Sequence, residues 1–184
     1  YHKYITRCSH LLRQGQAVAD ILYLTPEGSP HIFNAPESAM AGSARLSDKK
    51  GYNFDAVSPR ILEMRAKVKN GKITFQNGTS YSLLVLPKVE TMTPETLELI
   101  TNLIKAGATV IGNPPRKSPS LVNYPECDDK VKSLAENLWG KTPLTERRVG
   151  KGRIILDADS AIQNQKTIPG KRTPETPTLY PDYE

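Results

Sequence analysis

Tyr81-Ser82-Leu83-Leu84-Val85-Leu86-Pro87 is apolar at nearly every position, on both alternating faces. A strand without a polar face has to be covered on two sides, the condition of a central strand in a parallel sheet. Helices must therefore flank this run, and the sequence supplies them. Thr93-Pro94-Glu95 offers a cap, a first-turn proline and a first-turn acid, Leu97, Ile100, Leu103 and Ile104 recur at helical spacing, and Gly107 closes the helix. Ala108 to Gly112 reads as the next strand. Asp128 or Asp129 is expected to cap a further helix carrying Val131, Leu134, Ala135, Leu138 and Trp139, and Gly152 to Leu156 reads as a last strand.

The amino-terminal half repeats the alternation less regularly. Residues 1–14 place Tyr4, Ile5, Cys8, Leu11 and Leu12 on one helical face ahead of Gly15, and Val18 to Leu24 is a short buried-strand run. Residues 26 to about 51 read as a long loop with room for one short helix; Ser58-Pro59 opens a short helix with Ile61, Leu62 and Met64. Val68, Ile73 and Phe75 fall among two Asn-Gly pairs, Asn70-Gly71 and Asn77-Gly78, which signal a small antiparallel hairpin excursion. Alternating strands and helices predict a three-layer α/β domain with a mainly parallel sheet, flavodoxin-like or Rossmann-like, over 1–158. Prolines 169, 174, 177 and 181 mark 159–184 as a linker or irregular arm.

The 184 residues are too few for a (β/α)8 barrel of about 250. At 38% the hydrophobic fraction lies below the usual value of roughly 45–50%, so part of the chain is expected outside the core. A start at Tyr1 directly into an amphipathic pattern, and a Pro-rich end, make the chain read as a piece of something longer. A net charge of +6 is mildly basic without a nucleic-acid signature, and no stretch has the length of a membrane span.

In open parallel sheets ligands bind beyond the carboxyl ends of the strands, so a site is expected in the loops there. The single G-x-G, Gly150-Lys151-Gly152, precedes a strand and reads as a tight hairpin rather than a dinucleotide site. The loop Thr25-Pro26-Glu27-Gly28-Ser29-Pro30 has two prolines that lack donors and a glutamate that repels phosphate, which argues against flavin. Cys8 and Cys127 have no sharp glycine-flanked turn, and His2, His10 and His31 have no metal spacing, so neither a nucleophile nor a metal site is expected. Arg147, Arg148, Lys151 and Arg153 lie beside Glu146 without an interleaved aromatic and read as a solvated turn. Among Glu27, Glu37, Asp48 and Asp55 no spacing pairs two carboxylates; Glu27 stands out because it falls just past the first strand's carboxyl end.

The ordered set Arg7-x-x-x-Leu11-Leu12-x-Gln14-Gly15-x-x-Val18-Ala19-Asp20-Ile21-Leu22-Tyr23, Gly51-Tyr52-Asn53-Phe54-Asp55, Leu83 to Pro87, Ser118-Pro119-Ser120-Leu121-x-x-Tyr124-Pro125 and Leu138-Trp139-Gly140 resembles glycoside hydrolase family 106, the bacterial α-L-rhamnosidases. The resemblance implies a modular enzyme that releases rhamnose from plant polysaccharides by inversion, with carboxylate acid and base and a calcium ion in a catalytic barrel absent from this chain. It implies that this segment is the accessory domain after the barrel, class I glutamine amidotransferase-like, without catalytic residues, metal or cofactor of its own. Its partners would be the barrel, joined through the first helix, a following β-sandwich and the parent's carbohydrate substrate; the parent would be periplasmic or secreted. Under that reading Thr25, Glu27, Asn53 and Asp55 are candidate contacts at the barrel rim. The competing readings are a self-sufficient small-molecule-binding or amidotransferase-like module and an oligomerisation domain.

Overall fold

The computed structural model describes residues 1–28, 33–34 and 53–157. Five parallel strands, β1 (Ile21–Leu24), β2 (Phe54–Val57), β6 (Leu83–Val85), β7 (Thr109–Ile111) and β9 (Gly152–Ile155), and one antiparallel strand, β8 (Glu146–Val149), form a sheet in the order β2-β1-β6-β7-β9-β8. A second, antiparallel sheet holds β3 (Lys67–Lys69), β4 (Lys72–Thr74) and β5 (Ser80–Tyr81). The helices are α1 (His2–Leu12), α2 (Pro59–Arg65), α3 (Pro94–Ala106) and α4 (Glu126–Trp139). The result is an α/β fold with a mostly parallel sheet.

Side-chain alternation divides the burial. Leu22, Leu24, Leu84, Leu86, Val110 and Ile154 join one core with Leu62 of α2, Leu97, Ile100 and Ile104 of α3, and Val131, Leu138 and Trp139 of α4. Ile21, Tyr23 and Val85 point to the other face, against Phe33, Phe54 and Leu83. Tyr23 meets the Phe54 ring edge to face at 5.5 Å, an arrangement the ring quadrupoles favour. Among the described residues the helices that bury side chains cover only the first face, so the third layer of the expected sandwich appears here as this aromatic cluster.

Most expected elements form, with instructive shifts. The Asn70-Gly71 turn has φ of 52° and 77°, the positive values a two-residue hairpin requires, and Val68 pairs with Ile73 across it. Tyr81 belongs to the small sheet rather than to the central strand, which begins at Leu83. α4 starts at Glu126 with Pro125 at its cap, earlier than an Asp128 or Asp129 cap would allow, because Asp128 Oδ1 instead accepts the Ser118 N–H at 2.8 Å. Gly150 does turn a hairpin, yet Arg147 and Arg148 lie in β8 rather than in a turn. Much of the 26–51 loop, with Glu37, Asp48 and His31, and all of 159–184 fall outside the described residues.

α1 differs from the other helices. It buries none of its residues, and Tyr4, Leu11 and Leu12 are 70%, 70% and 85% exposed. Eleven residues without tertiary packing make a marginal helix in water.

Candidate functional site

The chain reverses its direction of travel across the sheet between β1 and β6, and the crevice beyond their carboxyl ends is where such sheets place ligands. Thr25 follows β1 and donates its N–H to the Val57 carbonyl at the end of β2, 2.9 Å away. Thr25 and Glu27, Ser58 and Arg60 ahead of and within α2, and Thr93 and Thr96 at the start of α3 line a groove of about 630 Å³. A second groove of about 630 Å³ separates the amino ends of α3 and α4. A third, about 520 Å³, runs from Glu27 past Thr91 and Ser118 to Tyr124 and Asp128.

Glu27 is fully engaged. One carboxylate oxygen accepts the Thr93 N–H at 2.7 Å, and the other accepts the hydroxyls of Thr93 and Thr96 at 2.7 and 2.6 Å. Thr93 is the N-cap of α3, and its hydroxyl also receives the Thr96 N–H at 3.3 Å. In an ordinary capping box the acid three residues into the helix reaches back to the N-cap N–H. Here that position is Thr96, and the acid comes from the end of β1. The carboxylate is thereby tied to the positive end of the α3 dipole, and it takes the place an anionic ligand would occupy at a helix start.

The other two candidates lie elsewhere. Asn53 donates through Nδ2 to the Val18 carbonyl at 3.4 Å, and Asp55 accepts the Tyr81 hydroxyl at 2.7 Å. Both lie on the entering side of β2, whereas Thr25 and Glu27 lie beyond its exit. At about 3.3 Å per residue, Asn53 and Val57 are about 13 Å apart. The structure thus groups Thr25 with Glu27 and separates them from Asn53 and Asp55.

Burial, and then the hydrogen bond to Asp55, raise the Tyr81 phenol above its ordinary value of 10.0. A folded-state pKa above the unfolded one means that the unfolded chain loses this proton first. Stability is then complete below about pH 10 and falls as pH rises through the alkaline range. Tyr81→Phe is expected to cost about 1 kcal/mol at pH 7 and to flatten the alkaline loss, read as denaturant midpoints at pH 8 and pH 10.5.

Residues outside the four candidates complete the carboxyl end. Asp157, just after β9, is buried and ion-paired with Lys88 at 3.5 Å. Trp139 donates its indole N–H to the Gly112 carbonyl at 2.9 Å and pins α4 to the end of β7. Leu121, Val122 and Tyr124 are 81%, 69% and 62% exposed around the grooves. Their Pro- and Ser-rich loop has no periodicity from which this exposure could have been read. Cys127 is buried and Cys8 half-buried, and among the described residues no group of three His, Cys, Asp or Glu side chains is arranged to hold a metal ion. No helix among them is long and apolar enough to cross a membrane.

A solved rhamnosidase from Novosphingobium sp. PP1Y superimposes with a TM-score of 0.63 at 29% identity over 88% of this chain and 15% of its own. A Formosa agariphila protein, provisionally named a beta-glucuronidase, is 43% identical over 165 residues, 88% of this chain and 13% of its own length. The chain therefore spans about one seventh of either relative. The family model described as alpha-L-rhamnosidase matches residues 1–176, and the chain belongs to that family, glycoside hydrolase family 106.

Proposed function

We propose that this chain is a noncatalytic accessory domain, flavodoxin-like in topology, of a multidomain glycoside hydrolase that releases terminal α-L-rhamnose from polysaccharides. The observation that carries the reading is the state of Glu27. The acid best placed in the strand-end crevice spends both oxygens on capping α3, so it serves as a brace and not as an acid or base. Counting only the parallel strands in chain order, the sheet runs 2-1-3-4-5, the flavodoxin sequence of strands. The exposed apolar sides of α1 and of the Leu121 to Tyr124 loop fit surfaces that neighbouring domains of the parent cover. The loop root at Thr25 and Glu27 would then be held at the rim of the catalytic barrel.

The two relatives carry different activity names, one a rhamnosidase and the other a glucuronidase. The parent should hydrolyse an aryl α-L-rhamnoside and leave an aryl β-glucuronide intact, while the 184-residue chain, shown to be folded by its thermal melt, should hydrolyse neither. Rhamnose release by the chain alone would end the noncatalytic reading, and turnover of only the glucuronide would end the rhamnosidase one.

Docking through α1 has its own expected result. Leu11→Ser with Leu12→Ser replaces side chains exposed in this chain, so its unfolding free energy should move by no more than about 0.5 kcal/mol. In the parent, where these leucines would be covered, Tm should fall by several degrees and proteolysis near the junction should accelerate. Equal, small effects in both proteins would remove α1 as the joint.

A further inference from the structure

The large sheet ends on β8, and the pairing of that strand leaves one side of its backbone open. The Leu156 N–H donates to the Thr145 carbonyl at 2.9 Å, so 145 and 156 form a hydrogen-bonded pair, and in an antiparallel ladder such pairs alternate with pairs that exchange no backbone bonds. Arg147 with Ile154 and Val149 with Gly152 are then the bonded pairs. Glu146 and Arg148 turn their N–H and C=O groups away from β9, and among the described residues no further strand lies beyond them. Both residues are exposed.

The period of two places the Glu146 and Arg148 side chains on one face of the strand and Arg147 and Val149 on the other. The second face is occupied within the domain: Val149 packs against the core, and Arg147 Nη1 reaches back to the Glu136 carbonyl of α4 at 3.5 Å. The first face is unbalanced. Arg153 of β9 ion-pairs with Glu146 Oε1 at 3.2 Å, whereas Arg148 stands opposite Arg153, a like-charge cross-strand pair. Among the described residues Arg148 enters no ion pair. Leu144, just ahead of the strand, is 60% exposed.

We propose that the β8 edge joins two copies of the parent protein, β8 pairing antiparallel with β8 of a second copy across a two-fold axis at Arg147. An axis there sets Glu146 opposite Arg148 of the second copy, twice, and each such pair exchanges two backbone hydrogen bonds through the open groups. Moving the axis to Glu146 or to Arg148 would set like charges opposite one another, so charge selects this register. Arg148 gains the counter-ion its own chain withholds, because Glu146 offers Oε2 beside the oxygen held by Arg153. The two copies of Arg147 meet on the opposite face, where each guanidinium is drawn to its own α4. Short charged edges also serve to prevent pairing. An edge built only to repel would carry one sign, whereas this one carries both in an order that complements itself when reversed, which a two-fold interface requires. Four residues a side bury less than the roughly 1,200 Å² of a stable interface, so a dimer of micromolar strength is expected, with Leu144 adding apolar area. The inference concerns assembly and stands whether or not the parent cleaves rhamnosides.

The test is analytical ultracentrifugation of the full parent protein from about 1 to about 100 µM. The wild-type mass should double across that range. Glu146→Arg sets arginine against arginine at both pairs and Arg148→Glu sets glutamate against glutamate, so each variant alone should dissociate at least roughly ten-fold more readily, with an unchanged thermal melt. Mixed in equal amounts, the two variants regain opposite charges at both pairs and should form a heterodimer of wild-type strength. A wild type that stays monomeric, a single variant that still dimerises as the wild type does, or a mixture that stays monomeric would each overturn the proposal. Because sedimentation is read without substrate, a parent inactive on an aryl α-L-rhamnoside would count against the enzymatic reading alone.

Discussion

Glu27→Ala is expected to lower the unfolding free energy by about 3 kcal/mol and, for a chain of this size, Tm by about 6–12 °C. The substitution strips α3 of three hydrogen bonds to a charged acceptor. It leaves the Thr93 N–H without its partner and removes the negative charge facing the helix dipole. Glu27→Gln separates the contributions. Its carbonyl oxygen can still accept the Thr93 N–H while its amide donates to one of the two hydroxyls, so the expected loss is about 1 kcal/mol. In the parent, Glu27→Gln should leave kcat and KM unchanged. Lost turnover at an unaltered Tm would instead make Glu27 a group that touches substrate.

This brace shows where sequence reading stops. Glu27 was legible as the acid past the first strand, and Thr93 as the α3 cap, because both signals are local. Their union spans 66 residues and depends on β1 and β6 being neighbours, which no local pattern states. The same limit explains β2. Phe54, Asp55, Ala56 and Val57 include two exposed positions on an edge strand, too brief and too polar to read as sheet, and the strand exists because each residue has a partner in β1. By contrast β6, β7, α3 and α4 carry their burial in their spacing, and the two hairpin turns carry theirs in Asn70-Gly71 and Gly150. Tyr81 falls in the small sheet for a related reason: an apolar run does not reveal where one sheet ends and another begins, and its hydroxyl finds Asp55 in a different element. The family resemblance groups Asn53 and Asp55 with Glu27, whereas the parallel direction of β2 puts them at the entry of that strand and Thr25 at its exit.

Gly152→Ala should be comparably damaging, for a steric reason and with no loss of polar contacts. A methyl carbon at this position would lie 2.3 Å from the carbonyl oxygens of both Ile104 and Ala108, and 2.9 Å from the Gly107 carbonyl carbon. All three are backbone atoms, so no rotamer change relieves the clash, and β9 would have to withdraw from the turn between α3 and β7. Because β9 pairs with β7 on one side and β8 on the other, that withdrawal strains two ladders at once. A cost of about 3 kcal/mol is expected, seen as a lower denaturant midpoint at an unchanged slope. Gly28→Ala is the control, since its φ of +79° is unfavourable but nothing lies within 4 Å of the added carbon; its cost should stay near 1–2 kcal/mol. If the two alanines cost the same, the backbone around Gly152 yields to the added carbon and crowding there is not the larger penalty. If Gly152→Ala is the more severe, the close approach of β9 to the turn between α3 and β7 is what this glycine permits, and the variant should spare the Glu27 brace and its groove at the opposite end of the sheet.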